Sequence, residues 1–436
     1  MKNRRINLLA RYTESTQRSF QVENLIPLGS QTFSKSRTQF PRGVAPLFVD
    51  RSKGCKTWDI DGNEYIDLVS SLAAVTLGYG DRDVNKAVRK QLKRGVTLSL
   101  PTSLEFEVAQ LVQDLVPSCE KIRFGKTGSD ACAAAVRLSR AYTGKNHVLV
   151  SGYHGWHDWF IGTTSMNLGV PNQVSELTHK FDLNDTNDFL GLIKKHGGDI
   201  AAVIVEPISS AEINKESLLE IKAVTKKHGI ILIFDETVSG FRVAPGGAKE
   251  LLGITPDLTV FGKGIANGFP LSAVAGNSKV MSYMDKVFYS GTFGGELLSL
   301  AAAKVVLNKI KTEDVTKRLE IIGNNLALKV NQVIEELAFE GLRMSGHPSW
   351  NFLLWDSSKF RDIKYTKTLF LQEMFSRGIL IITSHNVTLK HDKSALDKIT
   401  KAYKEVLTLI QKVEKENSYS DNLYVEPIEP LFKIRS

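Results

Sequence analysis

Phe261-Gly262-Lys263-Gly264-Ile265-Ala266-Asn267-Gly268-Phe269-Pro270 is the stretch whose reading decides the fold. The apolar run Leu258 to Phe261 stops at Gly262-Lys263-Gly264, so a single lysine stands at the carboxyl end of a strand in a tight loop. Open α/β sheets hold their ligands at that end of their strands. The flanking glycines let a bulky ligand approach the backbone. A lysine pressed against such a ligand and partly desolvated loses its proton readily and becomes a nucleophile toward a carbonyl. Gly-Lys-Gly by itself is more often a solvated turn, and the surrounding chain has to decide.

Two more strands point to the same end. Ala201 to Val205 is an uninterrupted apolar run ending in Glu206-Pro207, and Ile230 to Phe234 is another ending in Asp235-Glu236-Thr237. Between them Glu216 to Lys227 reads as an amphipathic helix stopped at Gly229. Continuous apolar strands joined through a helix are buried parallel strands with a right-handed crossover. Asp235 therefore sits at the end of a central strand, where a carboxylate is costly unless a cation or hydrogen-bond donors meet it. His147 to Val150 is a further short strand, running into Gly152-Tyr153-His154-Gly155-Trp156-His157. Aromatic side chains between glycines suit stacking on a flat ring, with ordinary packing as the alternative. Ser272 to Ala275 is the next strand. Tyr153, Glu206, Asp235 and Lys263 thus converge at the carboxyl ends of strands in one sheet.

A second informative stretch is Phe124 to Gly144. Gly125-Lys126-Thr127 suggests a phosphate-binding loop, but that motif needs a glycine where this chain has Glu120. The loop Thr127-Gly128-Ser129 instead opens an alanine-rich helix from Asp130 to about Tyr142, with Ser129 expected as its cap and Gly144 as its stop. Such a helix start can take an anion on its free N–H groups.

The remainder sets the frame. Asp61-Gly62 between Trp58 and Asp67 signals a hairpin. Asp83 to Lys93, Leu104 to Val116, Leu300 to Lys311 and Val315 to Leu337 read as helices. A smaller α+β section from about Gly341 to Lys412 has strands expected at Asn351 to Trp355 and Leu380 to Thr383. Met1 to Ser30 is expected as a helix and an arm, and Phe33 to Pro46 as an irregular loop carrying Lys35, Arg37 and Arg42. With 436 residues the chain suits one large domain and one smaller. The expected division is 1–80 (arm and first part of the small domain), 81–335 (large domain), 336–415 (rest of the small domain) and 416–436 (extension).

No stretch approaches the roughly eighteen apolar residues of a membrane span. The three scattered cysteines (Cys55, Cys119 and Cys132) point to reduced thiols, hence a cytoplasmic protein rather than a disulfide framework. There is no Cys/His spacing for zinc, and no metal is expected. The net charge of +9 is spread along the chain and mixed with acids. That favours anionic small molecules over nucleic acid or a membrane surface.

A strand-end aspartate followed on the next strand by Gly-Lys-Gly is what pyridoxal 5'-phosphate requires: a lysine for its aldehyde, a carboxylate for its ring nitrogen, a helix start for its phosphate and an aromatic for its ring. At this point the chain resembles the class III aminotransferases, in the branch containing glutamate-1-semialdehyde aminomutase. The resemblance runs from about Leu28 to Ile410. It rests on an ordered set of motifs: Trp58-Asp59-Ile60-Asp61-Gly62 with Tyr65-Ile66-Asp67, Thr127-Gly128-Ser129-Asp130, Arg137-Leu138 with Arg140-Ala141-Tyr142-Thr143-Gly144, Tyr153-His154-Gly155, Glu206-Pro207-Ile208, Phe234-Asp235-Glu236 with Gly240-Phe241-Arg242, Thr255-Pro256-Asp257-Leu258, Gly262-Lys263 and Gly291-Thr292.

The resemblance implies the aspartate-aminotransferase-like fold, fold type I of the pyridoxal-phosphate enzymes. That fold has a large domain with a mostly parallel seven-stranded sheet and a smaller α+β domain. It implies Lys263 as the Schiff-base lysine and Asp235 as partner of the ring nitrogen. Gly128 and Ser129 would take the phosphate, Tyr153 would stack on the ring, and Thr292 would reach the phosphate of a neighbouring subunit in a homodimer. His154, Glu206 and Thr237 complete the expected cofactor set, although Thr237 stands where the family usually has valine. Arg37 matches a carboxylate-binding position for substrate.

The departures cluster around the substrate: Leu72 where the aminomutases carry tryptophan, Ser209 to Ile213 after Glu206-Pro207-Ile208, and Ser384 to Val387 without the acidic residue of those enzymes. The expectation is a transaminase moving an amino group from an amino-acid donor such as glutamate to an anionic or sugar-derived carbonyl acceptor, as in cell-surface polysaccharide pathways. Glutamate-1-semialdehyde aminomutase is the alternative, and a catalytically silent relative that binds the cofactor is a third.

Overall fold

The structure is a computed structural model that describes residues 2–210 and 214–429. Two compact units emerge. Of the described residues, one contains 2–73, 77–80 and 319–429, and the other 74–76 and those between 81 and 318.

The first unit opens with helices Lys2–Ala10 and Thr13–Glu23, so the amino-terminal stretch is two helices rather than one. Strands β1 (Val49–Lys53), β2 (Lys56–Asp59) and β3 (Glu64–Asp67) follow as an antiparallel meander. The β2–β3 turn is the expected Asp61-Gly62 hairpin. Gly62 takes a φ of 84°, and Asp59 ties the turn by accepting the amide of Asn63 at 2.7 Å.

The second unit is built on a sheet of seven strands: β4 (Lys121–Gly125), β5 (His147–Ser151), β6 (Thr178–Lys180), β7 (Ile200–Val205), β8 (Ile231–Glu236), β9 (Leu258–Phe261) and β10 (Ser272–Gly276). Their order is β4-β10-β9-β8-β7-β5-β6. All neighbours are parallel except β10, which is antiparallel to both β9 and β4. The short link Gly262 to Leu271 explains the reversal. A parallel neighbour would need a crossover, usually a helix, and the link has no room for one. Every residue of β7, β8, β9 and β10 is buried, as apolar strands covered on both faces should be.

Helix Gly128–Thr143 packs on this sheet through Ala131, Cys132, Ala134, Ala135 and Leu138. Those small side chains bring the helix axis close to the strands. Its cap is Thr127 and not Ser129: the Thr127 hydroxyl accepts the Asp130 amide while the Asp130 carboxylate accepts the Thr127 amide. An extended Thr127 followed three residues later by an acid makes a capping box, and this moves Ser129 into the first turn. Gly144 ends the helix at φ 68°, as expected. Lys126, in the sequence that suggested a phosphate loop, is committed to an ion pair with Glu296 at 3.1 Å.

The first unit resumes with β11 (Leu342–Ser345), β12 (Asn351–Trp355), β13 (Ile379–Leu380) and β14 (Ser384–His385), and with helices Ile363–Ser376 and Lys393–Glu416. The single strand expected at Leu380 to Thr383 is two. β13 pairs in parallel with β3, and β14 pairs antiparallel with β12, so the chain switches sheets between them. Among the described residues no helix is long and apolar enough to cross a membrane.

Candidate active site

Strand register aligns the chemistry. Ser151 pairs with Val205, Val205 with Phe234, Asp235 with Val260 and Glu236 with Phe261. The ends of β5, β7, β8 and β9 are therefore nearly level, and Tyr153, Glu206, Asp235 and Lys263 leave the sheet at one edge.

Asp235 is the electrostatic centre. It is 5% exposed. Its Oδ1 accepts the amide of Thr237 at 3.0 Å and the Thr237 hydroxyl at 2.6 Å. Its Oδ2 lies 2.9 Å from His154 Nδ1 and takes the Cys132 thiol at 3.2 Å. Burial pushes this carboxyl up, but the His154 hydrogen bond and charge, with the two Thr237 donors, outweigh it and hold the group below its ordinary value. A buried carboxylate is thereby kept charged. The same burial, with Asp235 alongside, pushes the Cys132 thiol well up, so it is a neutral donor.

His154 is itself fully buried. Its Nε2 lies 3.2 Å from the carbonyl oxygen of Ser151. Its two ring nitrogens thus lie between the Asp235 carboxylate and the β5 backbone. Cys132 was not singled out in the sequence, yet the signal was present: it lies three residues beyond Ser129, on the face of the helix that turns to the sheet. Glu206 accepts the amide of Tyr153 at 3.1 Å and fixes the bend after β5. The Tyr153 ring is partly buried and meets Phe160 edge-on at 5.6 Å.

Lys263 begins the turn after β9 with a φ of 41°, and Asn267 ends it at 47°. Left-handed backbone at a residue with a side chain costs on the order of 1–3 kcal/mol and persists only where the surroundings impose it. Asn267 helps impose it by accepting the amide of Thr76 at 2.9 Å. A Cβ on Gly264 would come within 2.9 Å of the Thr76 hydroxyl. Behind the turn Arg242 is fully buried, its guanidinium reaching Val75 O at 3.4 Å, and burial pulls it down to about 10.

The residues fit a flat, phosphate-bearing pyridine. A Cβ on Gly128 would meet Thr237 at 2.9 Å, one on Gly262 would meet it at 3.0 Å, and one on Gly155 would strike the Ser129 hydroxyl at 2.3 Å. The three glycines thus let the helix start, the β9 turn and the loop after β5 close around Thr237 and Ser129. The Ser129 hydroxyl accepts the Trp156 amide at 3.3 Å. The donor set around Asp235 suits a protonated ring nitrogen, since it sustains a negative charge in the interior.

Thr292 falls in a cleft beside the start of the helix Gly128–Thr143. It is exposed and lines an open cleft of about 920 Å³ with Phe124, Asp130, Arg137 and Phe288, while Lys263 and Asp235 do not line that cleft. Arg37 belongs to the first unit, where its Nε lies 3.0 Å from Glu23. Arg42 shares the same carboxylate and covers the Phe20 ring. Leu72 falls in a left-handed turn, Ser70 to Ala73, with φ values from 45° to 68°. Of the changed segment Ser209 to Ile213, residues Ala211, Glu212 and Ile213 lie outside the described residues.

A seven-stranded, mostly parallel sheet with a lysine turn, a buried carboxylate and a capped helix at one edge defines the fold-type I architecture of pyridoxal-phosphate enzymes. The chain belongs to the class III aminotransferases, whose family model matches residues 39–395. It is 30% identical over 403 residues to the 3-aminobutyryl-CoA aminotransferase of Cloacimonas acidaminovorans, covering 90% of this chain and 96% of the relative. It is 31% identical over 397 residues to the glutamate-1-semialdehyde 2,1-aminomutase of Aquifex aeolicus, covering 84% and 93%. An omega-transaminase from Sphaerobacter thermophilus superposes with a TM-score of 0.84 at 26% identity, over 92% of this chain and 99% of that one.

Proposed function

We propose that the chain is a transaminase in which Lys263 and Asp235 carry the chemistry. The observation that supports this most directly is a lysine held in left-handed backbone one strand away from a buried, charged aspartate. Pyridoxal phosphate, when bound, supplies a ring that accepts electrons from the substrate carbon. Asp235 would keep the ring nitrogen protonated through its negative charge, with His154, Thr237 and Cys132 fixing the orientation of the carboxylate. Gly128 and Ser129 offer first-turn amides, which a helix leaves without intrahelical partners, to the phosphate. Tyr153 presents its ring, anchored through its amide by Glu206. The Lys263 amine would take the proton from the substrate carbon as general base and deliver it to the cofactor's aldehyde carbon as general acid.

The proposed acceptor is a small anionic carbonyl compound, a carboxylate or a phosphate-bearing sugar derivative as in cell-surface polysaccharide synthesis, with glutamate or a similar amino acid as donor. The net charge of +9 and the loop with Lys35, Arg37 and Arg42 support an anionic partner. So do the names of the two relatives, one acting on a CoA thioester and the other on an amino acid semialdehyde. Glu23 already engages Arg37 and Arg42, so the loop offers less free charge than its composition suggests. A charge-assisted hydrogen bond contributes about 1.5–3 kcal/mol, so Arg37→Ala should raise KM for the anionic acceptor about tenfold or more and leave cofactor retention unchanged. Unaltered KM for every substrate in steady-state assays would remove Arg37 from the site. The aminomutase is the second reading, carried by the 31% identity to the Aquifex enzyme. Conversion of glutamate-1-semialdehyde to 5-aminolevulinate at the efficiency of a dedicated enzyme would establish it in place of the first.

We further propose a cytoplasmic homodimer in which Thr292 serves the neighbour's phosphate site. Its exposure and its place in a cleft that Lys263 and Asp235 do not line support this, as do the exposed rings of Phe288 and Phe293 beside it. Sedimentation of the cofactor-loaded protein should show a dimer that loses cofactor on dilution to monomer. Full activity in a sedimenting monomer would contradict it.

A further inference from the structure

At the opposite end of β5 from Tyr153, three histidines meet. His147 opens β5, His179 lies in the edge strand β6, and His196 ends helix Thr186–His196. Their ligating nitrogens all lie within 4.8 Å of one another. His147 Nδ1 and His179 Nε2 are 2.9 Å apart, and the His179 and His196 rings stack at 4.3 Å. We propose that this cluster is a binding site for a divalent transition metal of the zinc class, unrelated to the aminotransferase site.

Three observations carry the assignment. The ligand count is that of an open zinc site, three imidazoles with a fourth position left for water. Nitrogens around a tetrahedral zinc stand about 3.3 Å apart. The observed spacings bracket that value, so rotations of half-buried rings close the set. Secondly, His196 Nε2 is buried without a hydrogen-bond partner among the described residues. A buried polar nitrogen without a partner is costly, and a metal would satisfy it. Thirdly, the shell behind the ligands is in place. With His147 Nδ1 facing His179, its Nε2 faces the Asp199 carboxylate at 3.7 Å, and Asp199 is held by the amide and side chain of Asn146 at 3.0 and 3.2 Å. A carboxylate behind a ligating imidazole is the arrangement that fixes ring orientation in zinc proteins.

The sequence showed no zinc spacing because the ligands come from two strands and a helix end, which only the fold assembles. A metal there would clamp β6, the outermost strand and only three residues long, and the following helix to β5.

The full-length, cofactor-loaded protein should be titrated with zinc chloride alone, and with cobalt chloride while visible absorbance is followed. One metal equivalent should bind at micromolar concentration or tighter, with a tetrahedral cobalt spectrum, and should raise Tm. His179→Gln and His196→Gln should each weaken that equivalent at least about tenfold and remove the rise in Tm. Both should leave cofactor absorbance unchanged, which shows that they fold. Zinc binding equal to the parent in either folded variant, or absent from the parent, would overturn the assignment.

Discussion

Lys263→Ala should lower turnover by at least about four orders of magnitude, the scale lost when a nucleophile and proton carrier are removed together. The substitution takes away both the amine that bonds the cofactor and the base that moves the substrate proton. It leaves the rest of the site standing, because Asp235, Thr237, His154 and Ser129 are held by one another and by β5 and β8. The variant should therefore fold and retain some cofactor through the helix start at Gly128. The backbone strain of the turn should stay, since alanine keeps the Cβ that makes a φ of 41° costly. Steady-state assays with amino-acid donors check the rate. A variant keeping more than about a hundredth of parental activity would place the chemistry elsewhere.

Asp235→Asn is the second large effect, about two to four orders of magnitude in rate, the range seen when a preorganised charge is removed from an active site. The amide keeps the shape and loses the charge. In the folded protein the donors of His154 and Thr237 hold the carboxyl below its ordinary value, so it stays ionised through neutral and mildly acid pH. The loss in Asp235→Asn should accordingly be present across that whole range. A decline confined to acid conditions would indicate a different role, and near-normal activity would remove Asp235 from opposite the ring nitrogen.

What the residues disclosed depended on how local their signal was. The apolar runs Ala201 to Val205 and Ile230 to Phe234 disclosed buried parallel strands because a covered sheet accommodates them, and the strands observed are Ile200–Val205 and Ile231–Glu236. Once those strands are parallel, the level ends that bring Asp235 beside Lys263 follow from register alone. The reversal of β10 was legible in principle, since Gly262 to Leu271 is too short for a crossover. The capping residue was missed by two positions because serine is the stronger cap of the two by type, and the reciprocal bond with Asp130 favours Thr127. Cys132 and His154 as partners of Asp235, and the histidine trio at the far end of β5, are products of tertiary assembly. Helical spacing from Ser129 places Cys132 on the sheet-facing side, but no spacing announces its partner or those of the histidines. The pairing of Arg37 and Arg42 with Glu23 is of the same kind: the cations were visible in the sequence, and the carboxylate that occupies them lies in the preceding helix.

The central claim is that Lys263 is the amine that holds the cofactor. Borohydride reduction of the protein loaded with pyridoxal phosphate, followed by proteolysis and mass spectrometry, tests it directly. The account predicts one pyridoxyl-modified peptide, carrying the label on Lys263 within Phe261 to Pro270. A label on Lys126, Lys35 or any other lysine, with Lys263 unmodified, would contradict it.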